Sequence, residues 1–133
     1  MRENIKGKLT DTINDNQSAL NMGSGTLEVF STPSLVAFVE KTCWKSIDEF
    51  LDEDKTTVGT KMNIEHLKAT PIGFRVTCKS NLIEVDGSKL VFEFEVYDEL
   101  ELISKGLHER FIVDKTNFQD RVDSKKEKPE ING

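Results

Sequence analysis

The sequence is poor in the residues from which proteins build metal sites, with two cysteines and two histidines among 133 residues. Cys43 and Cys78 fall in a helical and a strand pattern without CxxC spacing, so we expect small buried apolar side chains and no dedicated zinc site. No apolar run approaches the roughly 20 residues that cross a bilayer. The N-terminal stretch MRENIKGKLT lacks the apolar core of a signal peptide. These absences predict a cytoplasmic protein that does not enter a membrane.

The chain also lacks a surplus of basic residues. Its formal net charge is −6 and its isoelectric point is about 5.0. Without a basic stripe there is nothing to displace the counterions of a phosphate backbone, so the composition argues against nonspecific nucleic-acid binding. A content of 36% hydrophobic and 32% charged residues is typical of a globular protein, and the length suits one domain with a single core.

The hydrophobic periodicity predicts an α+β fold in which an antiparallel five-stranded sheet wraps around one long central helix. A polar, glycine-rich connection over residues 14–25 is expected to form the rim or lid of a pocket. The Asp86-Gly87 pair predicts a two-residue hairpin between the third and fourth strands. The predicted strands are residues 5–13, 57–67, 74–85, 90–97 and 103–113, and the helix is residues 34–51.

We place the domain over residues 1–118 and expect residues 119–133 to be a polar tail without stable structure, apart from a helical turn or two around residues 118–122. Five short strands and one helix leave an open sheet edge. Because such edges are commonly covered by a second copy of the chain, this architecture favours a homodimer.

One carboxylate stands out within the predicted helix. Glu40 lies in the middle of the apolar stripe of LVAFVEKTCWKSIDEFL, with Val36 one turn before it and Cys43 and Trp44 one turn after. A carboxylate loses hydration among such neighbours and is seldom kept there unless it is paired or functional. The alternative is that Glu40 lies at the edge of the stripe and extends into solvent.

His66 and Thr32 are two further candidates for a site. The alternation of residues 57–67 places His66 on the same face as Val58, Thr60, Met62 and Ile64. A lone histidine on such a face is more often structural than catalytic. Thr32 precedes the helix, where it has an equally good structural role as the N-cap, followed by a proline at the first helical position.

Four sequence strings resemble one known family when they are taken together. They are FSTPSLVAFVE (residues 30–40), VGTKMNIEHLKATPIG (58–73), EVDG (84–87) and GLHERFIVD (106–114). Their order and spacing are similar to those of the hot-dog-fold thioesterases related to fluoroacetyl-CoA thioesterase, over roughly residues 18–114. The resemblance implies the hot-dog fold and a homodimer with active sites near the subunit interface, and a higher oligomer stays open.

The resemblance also implies roles for particular residues. Thr32, Glu40 and His66 match the catalytic set of the family, the same three residues that the physical reading selects. Gly59 matches a position that lines the thioester end of the pocket, and Arg110 matches an arginine of the acyl pocket. The structural alternative for Arg110 is pairing with a nearby carboxylate. No cofactor or metal is expected, because coenzyme A is part of the acyl-CoA substrate.

The lid segment departs from the family pattern. The fluoroacetyl-specific enzyme carries two phenylalanines there, and the matching stretch GSGTLEVF has Gly23 and Thr26. Selectivity for fluoroacetate is therefore not expected. A non-catalytic acyl-CoA binding or sensing module is the alternative function, and a structural dimer module without a ligand is a third. A hot-dog enoyl-CoA hydratase is disfavoured, because the sequence has no GDxNPxH-like string.

Overall fold

The structure is a computed structural model that describes residues 1–127. The strands are β1 (Lys6–Thr12), β2 (Lys55–His66), β3 (Arg75–Asp86), β4 (Lys89–Tyr97) and β5 (Leu102–Asp114). The helices are α1 (Ala19–Met22), α2 (Thr32–Ile47) and α3 (Lys115–Asp123). Short 3₁₀ turns cover Asp15–Gln17, Asp48–Phe50 and Ser124–Glu127. None of the described helices is long and apolar enough to cross a membrane.

The five strands form one antiparallel sheet in the order β1-β3-β4-β5-β2, and α2 packs against one face of it. The predicted sheet, its single long helix and the hairpin between β3 and β4 are therefore present. The hairpin loop is shifted by one residue, because Asp86 pairs with Lys89 and the two-residue loop is Gly87-Ser88. Gly87 has a φ of 60°, the left-handed conformation that glycine adopts without a steric penalty.

The apolar stripe of α2 lies beside Glu40 and does not include it, so of the two positions considered for Glu40 the structure has the one at the edge of the stripe. Glu40 is only partly buried and Trp44 is 37% exposed, so both lie at the edge of the helix–sheet contact. The residues of α2 that are buried against the sheet and loops are Ser34, Leu35, Phe38, Val39, Thr42, Cys43 and Ile47.

The start of α2 differs from the prediction by one residue. Ser31 is the N-cap, and its hydroxyl accepts a hydrogen bond from the backbone N–H of Ser34. Thr32 is the first helical residue and Pro33 follows it in the first turn. Because Ser31 supplies the cap, the Thr32 hydroxyl is available for another contact.

A β-bulge in β2 changes which side chains face the helix. The pairing of β2 with β5 shifts between Gly59 and Lys61, so one extra residue interrupts the alternation. On the N-terminal side of the bulge, Thr57 and Gly59 face α2, whereas Met62 and later even-numbered positions do so after it. The prediction that Val58 and Thr60 share the face of His66 was therefore wrong.

The chain beyond residue 118 is more ordered than predicted as far as it is described. Helix α3 extends to Asp123 and a 3₁₀ turn follows over Ser124–Glu127. The Asp114 side chain caps α3 by accepting a hydrogen bond from the backbone N–H of Asn117. An aspartate at this position is a helix start signal, which a prediction from composition does not take into account. The remainder of the predicted tail, residues 128–133, lies outside the described residues.

Candidate active site

Thr32 and His66 meet where the first residue of α2 approaches the last residue of β2. The Thr32 Oγ1 and the His66 Nδ1 are 2.8 Å apart and hydrogen-bonded. Burial lowers the pKa of His66, and the Lys68 backbone offsets only part of that effect, so the imidazole is neutral at neutral pH. Its other nitrogen, Nε2, is buried and has no hydrogen-bond partner within residues 1–127.

A cavity of about 300 Å³ adjoins this pair. One wall comes from the segment that leads into α2 and the other from the residues that follow β2, so the glycine-rich connection does form part of the rim, as predicted. The lining residues are Ala19, Ser24, Val29, Phe30, Ser31, Thr32, His66, Leu67, Lys68 and Ala69.

Glu40 belongs to a second cluster, near the middle of β2. Its Oε2 lies 3.7 Å from the Arg110 Nη1, and 40% of its side chain is exposed. Gly59 lies directly beneath the carboxylate, because a Cβ added at Gly59 would be only 2.8 Å from the Glu40 Oε2. Arg110 is thus paired with a carboxylate, which is the structural alternative given for it, and its place in an acyl pocket stays a prediction.

The guanidinium of Arg110 is buried and held on several sides. Its Nε donates to the Thr57 Oγ1 at 2.8 Å and its Nη2 donates to the Thr57 carbonyl at 2.9 Å. Its Nη1 lies 3.1 Å from the Nε2 of His108. Sequence reasoning did not select His108, although its spacing of two from Arg110 on a strand places both on one face.

The two clusters are separate within one chain. Thr32 and Glu40 are eight residues apart on α2, which corresponds to about 12 Å along a helix. Gly59 and His66 are seven residues apart on β2, which corresponds to about 23 Å along a strand at about 3.3 Å per residue. The structure therefore brings Thr32 and His66 together, and Glu40 with Gly59 and Arg110, but it does not bring all five into one contact network.

The two cysteines add no reactive thiol to the site. Cys43 and Cys78 are fully buried, and burial raises the pKa of Cys78 to about 11 and that of Cys43 further, so neither is a reactive thiolate. Among residues 1–127 no cluster of three or more histidine, cysteine or acidic side chains could hold a metal ion. A depression of about 590 Å³ on the outer sheet face includes neither cluster.

Solved structures define the class of fold. A solved structure of the fluoroacetyl-CoA thioesterase FlK superimposes with a TM-score of 0.89 at 24% identity, covering 97% of this chain and 98% of that one. A thioesterase superfamily member from Thermus thermophilus has a TM-score of 0.87 at 23% identity, over 95% and 93% of the two chains. A hot-dog-like protein from Thermanaerovibrio acidaminovorans has a TM-score of 0.85 at 19% identity, over 94% and 93%. The chain has the hot-dog fold.

Sequence comparison defines the family. The profile of the fluoroacetyl-CoA-specific thioesterase family, FlK, matches residues 13–116. The fluoroacetyl-CoA thioesterase of Streptantibioticus cattleyicolor is 31% identical over 98 residues, which are 74% of this chain and 70% of that protein. The chain belongs to the FlK family, which confirms the resemblance found in the sequence.

Proposed function

We propose that this protein is an acyl-CoA thioesterase, which hydrolyses a thioester to a carboxylic acid and free coenzyme A. Family membership and a relative with that activity in its name support the reaction class. A structure of an FlK variant contains fluoroacetate and coenzyme A, which supports an acyl-CoA as the ligand of this fold. The observation that carries the proposal is the Thr32–His66 hydrogen bond beside a cavity, with a buried and unpartnered Nε2 on the imidazole.

Each residue of the set has a chemical task in this reaction. Glu40 either attacks the thioester carbonyl or activates a water molecule, because its carboxylate is accessible and faces a fixed guanidinium. His66 donates a hydrogen bond from the Nε2–H of its neutral ring, either to the thioester carbonyl or to the sulfur of the departing thiolate, and the Thr32 hydroxyl orients the ring. Gly59 and Arg110 shape the acyl end of the pocket.

The separation of the two clusters is resolved if the enzyme is a homodimer. β2 is an edge strand of 12 residues, so along one side it has no partner strand in the described chain. Such an edge is a template for pairing with a second copy. Antiparallel pairing of β2 with its counterpart would join the two sheets into one continuous sheet.

A two-fold axis at Asn63 would place compatible side chains opposite each other on both faces of this pairing. Lys61 then lies opposite the partner's Glu65 on the outer face, where both side chains are exposed and of opposite charge. Met62 lies opposite the partner's Ile64 on the inner face, and both side chains already pack on the core of their own chain. Cross-strand pairs of these kinds stabilise antiparallel sheets.

The same register completes the active site. Because the bulge adds one residue, the next inward position after Met62 is Gly59, which comes to lie opposite the partner's His66. Glu40, which covers Gly59, then faces the Thr32–His66 pair of the other protomer. Each of the two sites would thus combine Glu40 of one chain with Thr32 and His66 of its partner.

The acyl group that this site accepts differs from that of the fluoroacetyl-specific enzyme. Gly23 has a φ of 76° and ends α1 in a left-handed conformation, which a phenylalanine at this position would adopt only with strain. The lid segment therefore lacks the two phenylalanines of the fluoroacetyl-specific enzyme and has a glycine turn in their place. This difference favours an acyl group other than fluoroacetyl.

A screen of acyl-CoAs tests the proposal. The purified protein is assayed against short, branched, aromatic and long acyl-CoAs with a free-thiol readout, together with Glu40→Gln, His66→Ala and a control, Lys105→Ala, on the outer sheet face. We expect hydrolysis of at least one class, with the rate reduced to a small residual level by each of the first two changes and kept by the control. Coenzyme A binding without turnover would support the sensing module instead. Hydrolysis that survives both site changes would refute the assigned set.

A further inference from the structure

His108 is a buried imidazole to which the catalytic set assigns no task. It is 1% exposed and stacks against Phe92 of β4 at a ring-centroid distance of 6.3 Å. It lies on β5 two residues before Arg110, so both side chains point from one face of the strand towards α2. Its two ring nitrogens have different partners, and those partners determine its protonation.

The partners of His108 fix a single neutral tautomer. The Nδ1 lies 2.8 Å from the carbonyl oxygen of Lys61, which can only accept, so Nδ1 carries the hydrogen and donates. The Nε2 lies 3.1 Å from the Nη1 of Arg110, which can only donate, so Nε2 is the acceptor. Burial lowers the pKa of His108, which agrees with a neutral ring.

Both hydrogen bonds lead to the surroundings of Glu40. Through Nε2, His108 fixes the guanidinium nitrogen that lies 3.7 Å from the Glu40 Oε2. Through Nδ1, it holds the backbone of Lys61 at the end of the bulge, two residues after Gly59, on which the carboxylate rests. The neutral ring is thus connected to the two features that define where the carboxylate lies.

We propose that His108 is a positioning residue for Glu40, acting as a neutral acceptor for Arg110 and as a clamp on the β2 bulge. It touches no reacting atom. The inference rests on the proposed thioesterase function and deepens it, because it adds a residue on which the alignment of the carboxylate depends. Loss of His108 should lower kcat more than it changes KM, because the proposed task of this residue is to align the carboxylate and not to bind the substrate.

Three substitutions of His108 test its two hydrogen bonds one at a time. His108→Gln keeps an acceptor at the position of Nε2, His108→Asn keeps a donor at the position of Nδ1, and His108→Leu keeps neither. With the acyl-CoA that is hydrolysed fastest in the screen, we expect the glutamine variant to retain most of the kcat of the unmodified enzyme. We expect kcat to fall by about 10- to 100-fold in the leucine variant, as for a catalytic group misplaced by about 1 Å, with the asparagine variant in between.

A double substitution distinguishes positioning from a purely structural role. If His108 acts through Glu40, the Glu40→Gln/His108→Leu protein should have the same residual rate as Glu40→Gln alone. Additive losses, an effect confined to KM, or equal kcat in the asparagine and glutamine variants would overturn the inference. If the leucine variant does not fold, the glutamine and asparagine variants decide, with thermal unfolding measured for each. Full activity of Glu40→Gln would instead refute the proposed function itself.

Discussion

Replacing Gly59 by alanine is a direct perturbation of the Glu40 cluster. The added Cβ would lie 2.8 Å from the Glu40 Oε2, 3.2 Å from the Arg110 Nη1 and 3.3 Å from the His108 Cε1. Arg110 and His108 are buried and hydrogen-bonded, whereas 40% of the Glu40 side chain is exposed. The carboxylate is therefore the group that moves.

The size of the effect follows from these distances. Restoring an ordinary contact distance displaces the carboxylate by about 0.6 Å, and a misplacement of about 1 Å can cost about 100-fold in rate. We expect kcat of Gly59→Ala to fall by about 10- to 100-fold. The free energy of unfolding should change by less than about 1 kcal/mol, because alanine is favoured over glycine within a strand by about 0.5–1 kcal/mol and this gain opposes the steric cost.

Initial rates of thiol release and urea unfolding of the same samples measure both quantities. Lys105→Ala, on the opposite face of the sheet, is the matched control and should keep both values. A Gly59→Ala protein with the kcat of the unmodified enzyme would show that the close approach of Glu40 to Gly59 has no role in catalysis. A loss that follows a large drop in stability would show that the glycine is only structural.

Three other predictions concern the rest of the site. Thr32→Ser should keep kcat within a few-fold while Thr32→Val loses about 10- to 100-fold, and equal rates in steady-state assays would exclude a role for the hydroxyl. In the folded protein the pKa values of His66 and His108 are lower than the ordinary histidine value of about 6.5, which applies to the unfolded chain. Below about pH 6.5 the unfolded chain therefore binds more protons than the folded protein does. The free energy of unfolding should therefore fall as the pH drops below about 6.5, by at most about 1.4 kcal/mol per pH unit for each histidine, and urea unfolding of His108→Gln should show a smaller slope. Asn63→Cys should form a disulfide-linked dimer on oxidation, since Cα atoms of opposed antiparallel residues are about 4.5–5.5 Å apart. Crosslinking by Thr60→Cys but not by Asn63→Cys on non-reducing gels would contradict the proposed axis.

Alternation and turn signals were sufficient to predict the five strands and the long helix. The sequence could not reveal the bulge in β2, because one extra residue leaves the composition unchanged while it reverses the faces of Val58 and Thr60. For the same reason the partners of Gly59 became visible only in the structure.

The helix period placed Glu40 on the correct side of α2 but not at its correct depth. A period of 3.6 residues defines a direction, whereas the boundary between core and edge depends on how far the sheet wraps around the helix. His108 could have been selected, because strand alternation places it beside Arg110. Its neutral tautomer depends on the Lys61 carbonyl, which is distant in sequence.

The most direct test of the site mixes two inactive variants. Glu40→Gln and His66→Ala proteins, one of them tagged, are unfolded together, refolded in equal amounts and assayed for thiol release, with heterodimer formation verified by native mass spectrometry. In each heterodimer one site would combine an intact Glu40 with an intact Thr32–His66 pair. Random assortment therefore predicts recovery of about one quarter of the activity of the unmodified enzyme. Verified heterodimers that remain as inactive as either parent would contradict a site shared between Glu40 of one chain and His66 of its partner.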